Sequence, residues 1–320
     1  DIMRIAILTS GGDAPGMNAA IRAVVRTCIF YGDEPYAIMD GYKGLVTGDF
    51  QKMERKSVSE ILSRGGTILG TSRMKSFVEK DVREIAIENL HKHKIDCLIV
   101  IGGDGTFKGA DELNKMGFPT IGIPASIDND VNGTDYTIGF QTALKTIVDD
   151  IDKLRDTSSS HQRSSIIETM GRKRGDLALY AGLSSGAEFI ITPENPLDKN
   201  QMIEALKKHK KEGRRNAIIV ITENILNVYE LAQEITEKSG FACRATVLGY
   251  VQRGGSPVPQ DRILAARMGA YAVECARKGL RGVAIGVNHE NIIHYAFSES
   301  FKEPNPDSLK PLFDLVPKLS

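Results

Sequence analysis

The chain has 320 residues, 41 basic and 41 acidic, with 41% apolar residues and no tryptophan. That composition suits a soluble globular protein large enough for one big domain or two of ordinary size. A formal charge of zero excludes the basic footprint of a general nucleic-acid or membrane-surface binder, so any anionic ligand must be held by local charge.

Along the chain, short β-branched runs predict strands at 4–8, 97–101, 120–124, 165–169, 189–192, 217–222, 244–248 and 282–287. Most are followed by glycine or turn residues and then by helical spacing. This strand, loop and helix alternation predicts an α/β fold with mainly parallel sheets and helices on both faces. Ala19, Ala20, Ala23, Val24 and Thr27 predict a helix with Asn18 as its N-cap. Val148, Ile151 and Leu154 mark another, over about residues 135–155, as a connector between two α/β lobes. The longest purely apolar runs, Leu98-Ile-Val-Ile101 and Ala217-Ile-Ile-Val-Ile221, fall far short of the roughly 20 residues a membrane helix needs. Lys207-Lys-His-Lys-Lys211 reads as a solvated helix end.

Cys28, Cys97, Cys243 and Cys275 form no CxxC pair and the six histidines are scattered, which excludes a disulfide framework or a zinc site. With no basic stretch leading into a long apolar one at the N-terminus, the expectation is a cytoplasmic protein with reduced thiols.

The chemistry sits in the strand-end loops. Ser10-Gly-Gly-Asp-Ala-Pro-Gly-Met-Asn18 lies between a strand and a helix, where glycine lets backbone N–H groups approach phosphate. It carries Met17 where a P-loop needs lysine. Gly102-Gly-Asp-Gly-Thr106 sets Asp104 among three glycines, and Lys108 stands where a dinucleotide fingerprint needs glycine. Arg64-Gly-Gly66 through Gly70-Thr-Ser-Arg73 adds glycines between two cations. Together the loops favour nucleotide phosphates with magnesium. Ser126-Ile-Asp-Asn-Asp130 would put Asp128 and Asp130 on one side if the chain stays extended; phosphoryl transfer to an alcohol needs a base and a metal, and Asp104 and this pair would divide those roles. Arg155, Arg163, Arg172, Arg244 and Arg253 lie next to loops, and arginine's fork suits a phosphate ester.

These blocks, with Arg155-Asp-Thr157, Met170-Gly-Arg172 and Gln252-Arg-Gly-Gly-Ser-Pro257, resemble the bacterial ATP-dependent 6-phosphofructokinase family over essentially the whole chain. The resemblance implies two three-layer α/β/α domains, the larger made of 1–138 and 252–302 and the smaller of 139–251 and 303–320. It implies that Gly12, Arg73, Met74, Gly103, Asp104, Gly105 and Thr106 hold ATP, with Asp104 on Mg2+. Asp128 would be the base for the 1-hydroxyl of fructose 6-phosphate, with Asp130, Arg172 and Gly12 also catalytic. Ser126, Ile127, Met170, Gly171, Arg172 and Glu223 would bind the sugar, and Arg163, Arg244, Tyr250 and Arg253 its phosphate end. In the family, residues matching Arg163 and Arg244 come from a neighbouring subunit of a homotetramer. Arg22, Arg26, Arg55, Arg155, Gly186, Glu188, Arg214 and Arg215 would form an effector site for ADP or phosphoenolpyruvate.

Four positions depart from the family pattern, one of them Ser126, which keeps the hydroxyl of the family's threonine. Tyr250 stands where the family usually has histidine, Ala125 where it has glycine, and Glu212 where the closest bacterial members carry lysine. Gly105 matches the ATP-dependent branch, since the pyrophosphate-dependent branch has aspartate there. Two rival readings are a kinase of another alcohol, such as an NAD-kinase-like enzyme, and a non-catalytic phosphosugar-binding subunit. Asp104 and Asp128 argue against the second, and the arginine set against the first.

Overall fold

Buried β-branched strands set the architecture, because a strand with no polar face must be covered on both sides. The computed structural model describes residues 1–320. In chain order the main elements are β1 (Arg4–Thr9), α1 (Met17–Phe30), β2 (Glu34–Ile38), α2 (Gly41–Thr47), β3 (Phe50–Lys52), α3 (Lys80–Lys92), β4 (Cys97–Gly102), α4 (Asp104–Lys115) and β5 (Thr120–Pro124). There follow α5 (Phe140–His161), β6 (Ser164–Thr169), α6 (Asp176–Ser184), β7 (Phe189–Ile191), α7 (Lys199–Lys211) and β8 (Ala217–Thr222). The last are α8 (Val228–Ser239), β9 (Cys243–Val247), α9 (Pro259–Arg277), β10 (Val283–Asn288) and β11 (Asn291–Ala296).

The chain divides into two compact units, one of Asp1–Thr142 with Arg253–Glu303 and the other of Ala143–Gln252 with Pro304–Ser320. The first break falls inside the opening turn of α5.

The larger unit holds a seven-stranded sheet in the order β11-β10-β5-β4-β1-β2-β3. Its five central strands are parallel, and β3 and β11 close the two edges antiparallel. Strand order reverses at β1, with β2 on one side and β4 on the other, which puts the loops after β1 and β4 side by side at the strands' carboxyl ends. That crevice is where open α/β sheets bind ligands. Leu8, Leu98, Val100 and Phe107 lie in its main core. Helix α1 packs on α9 at small residues: a Cβ on Gly269 would sit 2.6 Å from that of Ala23.

The smaller unit has a four-stranded, wholly parallel sheet in the order β7-β8-β6-β9. Its core joins Ile166, Ile219 and Ile221 of the sheet to Leu206 of α7 and Ile235 of α8. Thr169 and Thr222 pair in register at the ends of β6 and β8, so the segments that follow them start as neighbours.

All eight expected strands are present. Three more, β2, β3 and β11, carry no pattern that periodicity can read: β2 begins Glu-Pro, β3 has three residues, and β11 is an edge strand without a fully buried residue.

Two helix expectations need correction. Asn18 is not the N-cap of α1; Gly16 is, at φ 106°, where a Cβ would come 2.6 Å from Ile138 Cγ2. Asn18 is buried in the first turn and serves another loop, accepting from Ile68 N at 2.7 Å and donating to the carbonyls of Arg64 and Gly65. The connector helix starts at Phe140, five residues later than expected, because residues 135–139 are tied down first. Asp135 N donates to Val287 O, and Ile138 bridges to Ala125. No helix is long and apolar enough to cross a membrane.

Candidate active site

In the larger unit the glycine loops meet as the parallel sheet requires. Ser10 N donates to Ile101 O at 3.0 Å, joining the loop after β1 to the end of β4. A Cβ on Gly102 would lie 2.4 Å from Thr106 Oγ1 and 2.5 Å from Ser10 O, so only glycine lets these two loops close on each other. A Cβ on Gly11 would lie 3.5 Å from the same hydroxyl. Thr106 is 3% exposed, and its Oγ1 has no partner, a buried hydroxyl inside a cradle of glycines. Its carbonyl is fixed from behind by Tyr42 OH at 2.5 Å.

Asp104 begins α4, where the positive end of the helix dipole favours a carboxylate. It pairs with Lys108 one turn on at 3.0 Å. A Cβ on Gly105 would meet nothing within 4 Å, so packing within the chain does not demand glycine there. The third loop joins through Thr71 Oγ1, which donates to Gly11 O at 2.9 Å. Arg73 is exposed beyond it, and Met74 packs against the core. From the returning segment, Arg253 lays its guanidinium over Gly12, with Cζ 3.4 Å from where a Cβ would be, and Gly255 backs on Gly65.

The Asp128 loop borders this cradle, with Ser126 Cβ 4.0 Å from the Cβ position of Gly103. The loop is not extended, so the alternation argument for its two aspartates fails: Ile127 and Asp128 form a turn and Asn129 is left-handed at φ 54°. The serine hydroxyl joins the two carboxylate residues instead. Ser126 Oγ accepts from Asp128 N at 3.2 Å and donates to Asp130 Oδ1 at 2.9 Å.

In the smaller unit, Met170, Gly171, Arg172 and Glu223 come together at the ends of β6 and β8. Arg172 N donates to Glu223 Oε1 at 2.9 Å, and Met170 N to Oε1 of fully buried Gln252 at 3.0 Å. Gly171 sits at φ 145°, where a Cβ would strike Arg174 O at 2.4 Å, and Arg172 follows in left-handed backbone at φ 60°. Burial, and then the Glu223 charge, pushes the Glu168 carboxyl above its ordinary value. Arg163 follows left-handed Gln162 just after α5, Arg244 is exposed on edge strand β9, and Tyr250 is 77% exposed beyond it.

The effector candidates fall into two groups. In the larger unit, Arg22 and Arg26 share a face of α1, and Arg26 donates to Arg55 O at 3.4 Å and to Ser59 Oγ. In the smaller unit, Arg155 donates to the carbonyls of Ser185 and Gly186, Glu188 accepts from Ile218 N at 2.6 Å, and Arg215 donates to Ser159 O. Arg214 stands near His209, whose imidazolium burial and then that arginine disfavour. Glu212 ends α7 with Lys208 at 4.0 Å.

Gln252, Asn129 and Asn18 are supports that motif reading passed over. All three lie inside quoted motifs, and each is a buried polar side chain bonded to another segment.

The parallel α/β scaffold thus carries glycine cradles at its strand ends, a helix-terminal carboxylate and a carboxylate pair joined through Ser126. The phosphofructokinase family model matches residues 4–276. A Teredinibacter turnerae protein named ATP-dependent 6-phosphofructokinase is 50% identical over 319 residues, covering all of both chains. One from Aliivibrio fischeri with the same name is 54% identical over 294 residues, 92% of each chain. Phosphofructokinase from Saccharomyces cerevisiae superposes with a TM-score of 0.86 at 36% identity over 99% of this chain, which spans 47% of that longer one. The chain belongs to the phosphofructokinase family.

Proposed function

We propose that the chain is an ATP-dependent 6-phosphofructokinase, moving the γ-phosphoryl of MgATP to the 1-hydroxyl of fructose 6-phosphate to give fructose 1,6-bisphosphate and ADP. The observation that carries this reading is the tethered Asp128 loop standing beside the glycine cradle of the larger unit. Its relatives' names point the same way.

Asp128 takes the hydroxyl proton as the oxygen attacks, with Asp130 held next to it through Ser126. Backbone N–H groups from Gly12 and Gly103 to Thr106 hold the donor's phosphates, with Arg73 alongside. The unfilled space at Gly105 leaves room for the inner phosphates of ATP. A magnesium ion that arrives with phosphates needs only one or two protein carboxylates, so Asp104, at a helix start between two glycines, fits it. When bound, the ion neutralises the phosphate oxygens. Met170, Gly171, Arg172 and Glu223 bind the sugar, and Arg163, Arg244, Tyr250 and Arg253 its 6-phosphate. Arginine forks supply the charge that a neutral chain otherwise lacks.

The proposal extends to a cytoplasmic homotetramer in which Arg163 and Arg244 serve a neighbouring subunit's site; the four free, buried cysteines accord with a reducing compartment. It includes ADP or phosphoenolpyruvate as effector at Arg22, Arg26 and Arg55 with Arg155, Gly186, Glu188, Arg214 and Arg215. Glu212 weakens phosphate binding there by repulsion.

The test is a coupled assay of fructose 1,6-bisphosphate formation with ATP or pyrophosphate as donor. Turnover with ATP that Asp128→Ala abolishes is expected. No turnover with either donor, from a chain that still binds ATP, would move the reading to a regulatory subunit or another acceptor.

A further inference from the structure

We infer that Asn129 is the positioning residue of the reaction, fixing Asp128 and Asp130 by bonding the turn between them, through residues 135–137, to the end of β10 in the large sheet. The inference rests on the phosphoryl-transfer reading above, with Asp128 as base.

Asn129 is 8% exposed and lies between the two carboxylates in left-handed backbone at φ 54°. Asparagine is among the few residues that take this conformation readily. Its amide is also used at both ends. Nδ2 donates to Asp135 O at 3.2 Å, and Oδ1 accepts from Thr137 N at 2.9 Å. The receiving segment is itself anchored: Asp135 N donates to Val287 O at 2.8 Å, and Asp135 Oδ2 accepts from His289 N at 2.8 Å. Thr137 Oγ1 then returns to the loop's start, donating to Ser126 O at 2.5 Å. Ser126 is the residue whose own hydroxyl joins Asp128 N to Asp130. A closed circuit of bonds thus runs from β10 through residues 135–137 to the turn that presents both carboxylates.

No other residue type meets both demands. Glycine takes the backbone conformation but has no amide. Aspartate has the acceptor but not the donor, and would add a third carboxylate between two others. Alanine lacks the amide and is strained at this φ.

The experiment uses the full chain and two variants, Asn129→Gly and Thr137→Val. For each it records kcat, KM for both substrates, MgATP affinity by calorimetry, thermal unfolding, and the pH dependence of kcat. Because misplacing a reacting group harms the transition state more than ground-state binding, Asn129→Gly is expected to lose at least about tenfold in kcat, with both KM values and MgATP affinity within about twofold. The acid limb of its pH profile should move, since Asp128 loses fixed surroundings. Thr137→Val removes the hydroxyl that reaches Ser126 O and Asn129 Oδ1 but keeps the bond from Thr137 N, and should show the same pattern with a smaller loss, about threefold.

Native kcat in Asn129→Gly overturns the inference, as does a loss that follows thermal stability with an unmoved pH limb. If Asn129→Gly does not fold, native kcat in Thr137→Val overturns it instead. A native chain inactive on fructose 6-phosphate rejects the functional reading itself, a result distinct from an active native chain whose variants match it.

Discussion

Two turns in this molecule resemble each other and are built differently. The Asp128 loop follows β5 in the larger unit, and the Gly171–Arg172 turn follows β6 in the smaller; each carries a left-handed residue other than glycine, Asn129 and Arg172. Asn129 holds that conformation with its own amide. Arg172 is held at its backbone N–H by Glu223, after a Gly171 whose own geometry admits no side chain. A residue with a Cβ and no short polar group to bond the local backbone pays roughly 1–2 kcal/mol in this conformation. The first turn is therefore shaped for rigidity, and the second keeps strain in order to place a charge.

Breaking the two turns separates the roles. The largest effect is expected from Asp128→Asn, which leaves the loop's backbone bonds in place but removes the base: kcat should fall by about 10²–10⁴-fold with the KM for ATP little changed in the coupled assay. Arg172→Gly comes next and should change two properties in opposite directions. Losing a charge-assisted bond raises the KM for fructose 6-phosphate by about tenfold to a hundredfold, while relief of the left-handed strain stabilises the fold by about 1 kcal/mol in denaturant unfolding. Asn129→Gly, which relieves no comparable strain, should be no more stable than the native chain. Equal stabilisation in both variants would erase the distinction between the turns.

Smaller effects sharpen the picture in the smaller unit. Tyr250→His should lower the KM for fructose 6-phosphate by an amount equivalent to roughly 1–2 kcal/mol, since imidazolium can make a charge-assisted bond where tyrosine makes a neutral one. A KM that does not fall would show that the exposed tyrosine is compensated. Glu168, with its raised carboxyl, gives the smallest effect. The folded chain keeps this proton more tightly than the unfolded one, so the carboxylate costs nothing in acid. Its cost grows as pH rises from the ordinary value of 4.5 through the higher folded one. Glu168→Gln should therefore raise Tm at neutral pH and leave it unchanged in acid. Equal shifts at both pH values would remove desolvation as the cause.

The sequence by itself determined the fold class, the eight main strands and the residue types of the site. Buried parallel strands are short, continuous apolar runs, and the loops after them have to be glycine-rich wherever backbone approaches backbone or phosphate. Even the family was legible, because ordered blocks such as Gly102-Gly-Asp-Gly105 and Ile127-Asp-Asn-Asp130 carry more information than any single loop. Only the tertiary structure decided how the blocks are held. Asn18 looked like a helix cap until its amide was seen to grip the loop at 64–68. Asp128 and Asp130 looked like neighbours on an extended strand until Asn129 was seen to turn between them. Gln252 gave no sign that it supports Met170 from 82 positions away. Local pattern specifies what a residue can do, whereas hydrogen bonds between distant segments fix where it does it, and spacing along one chain holds no record of those bonds.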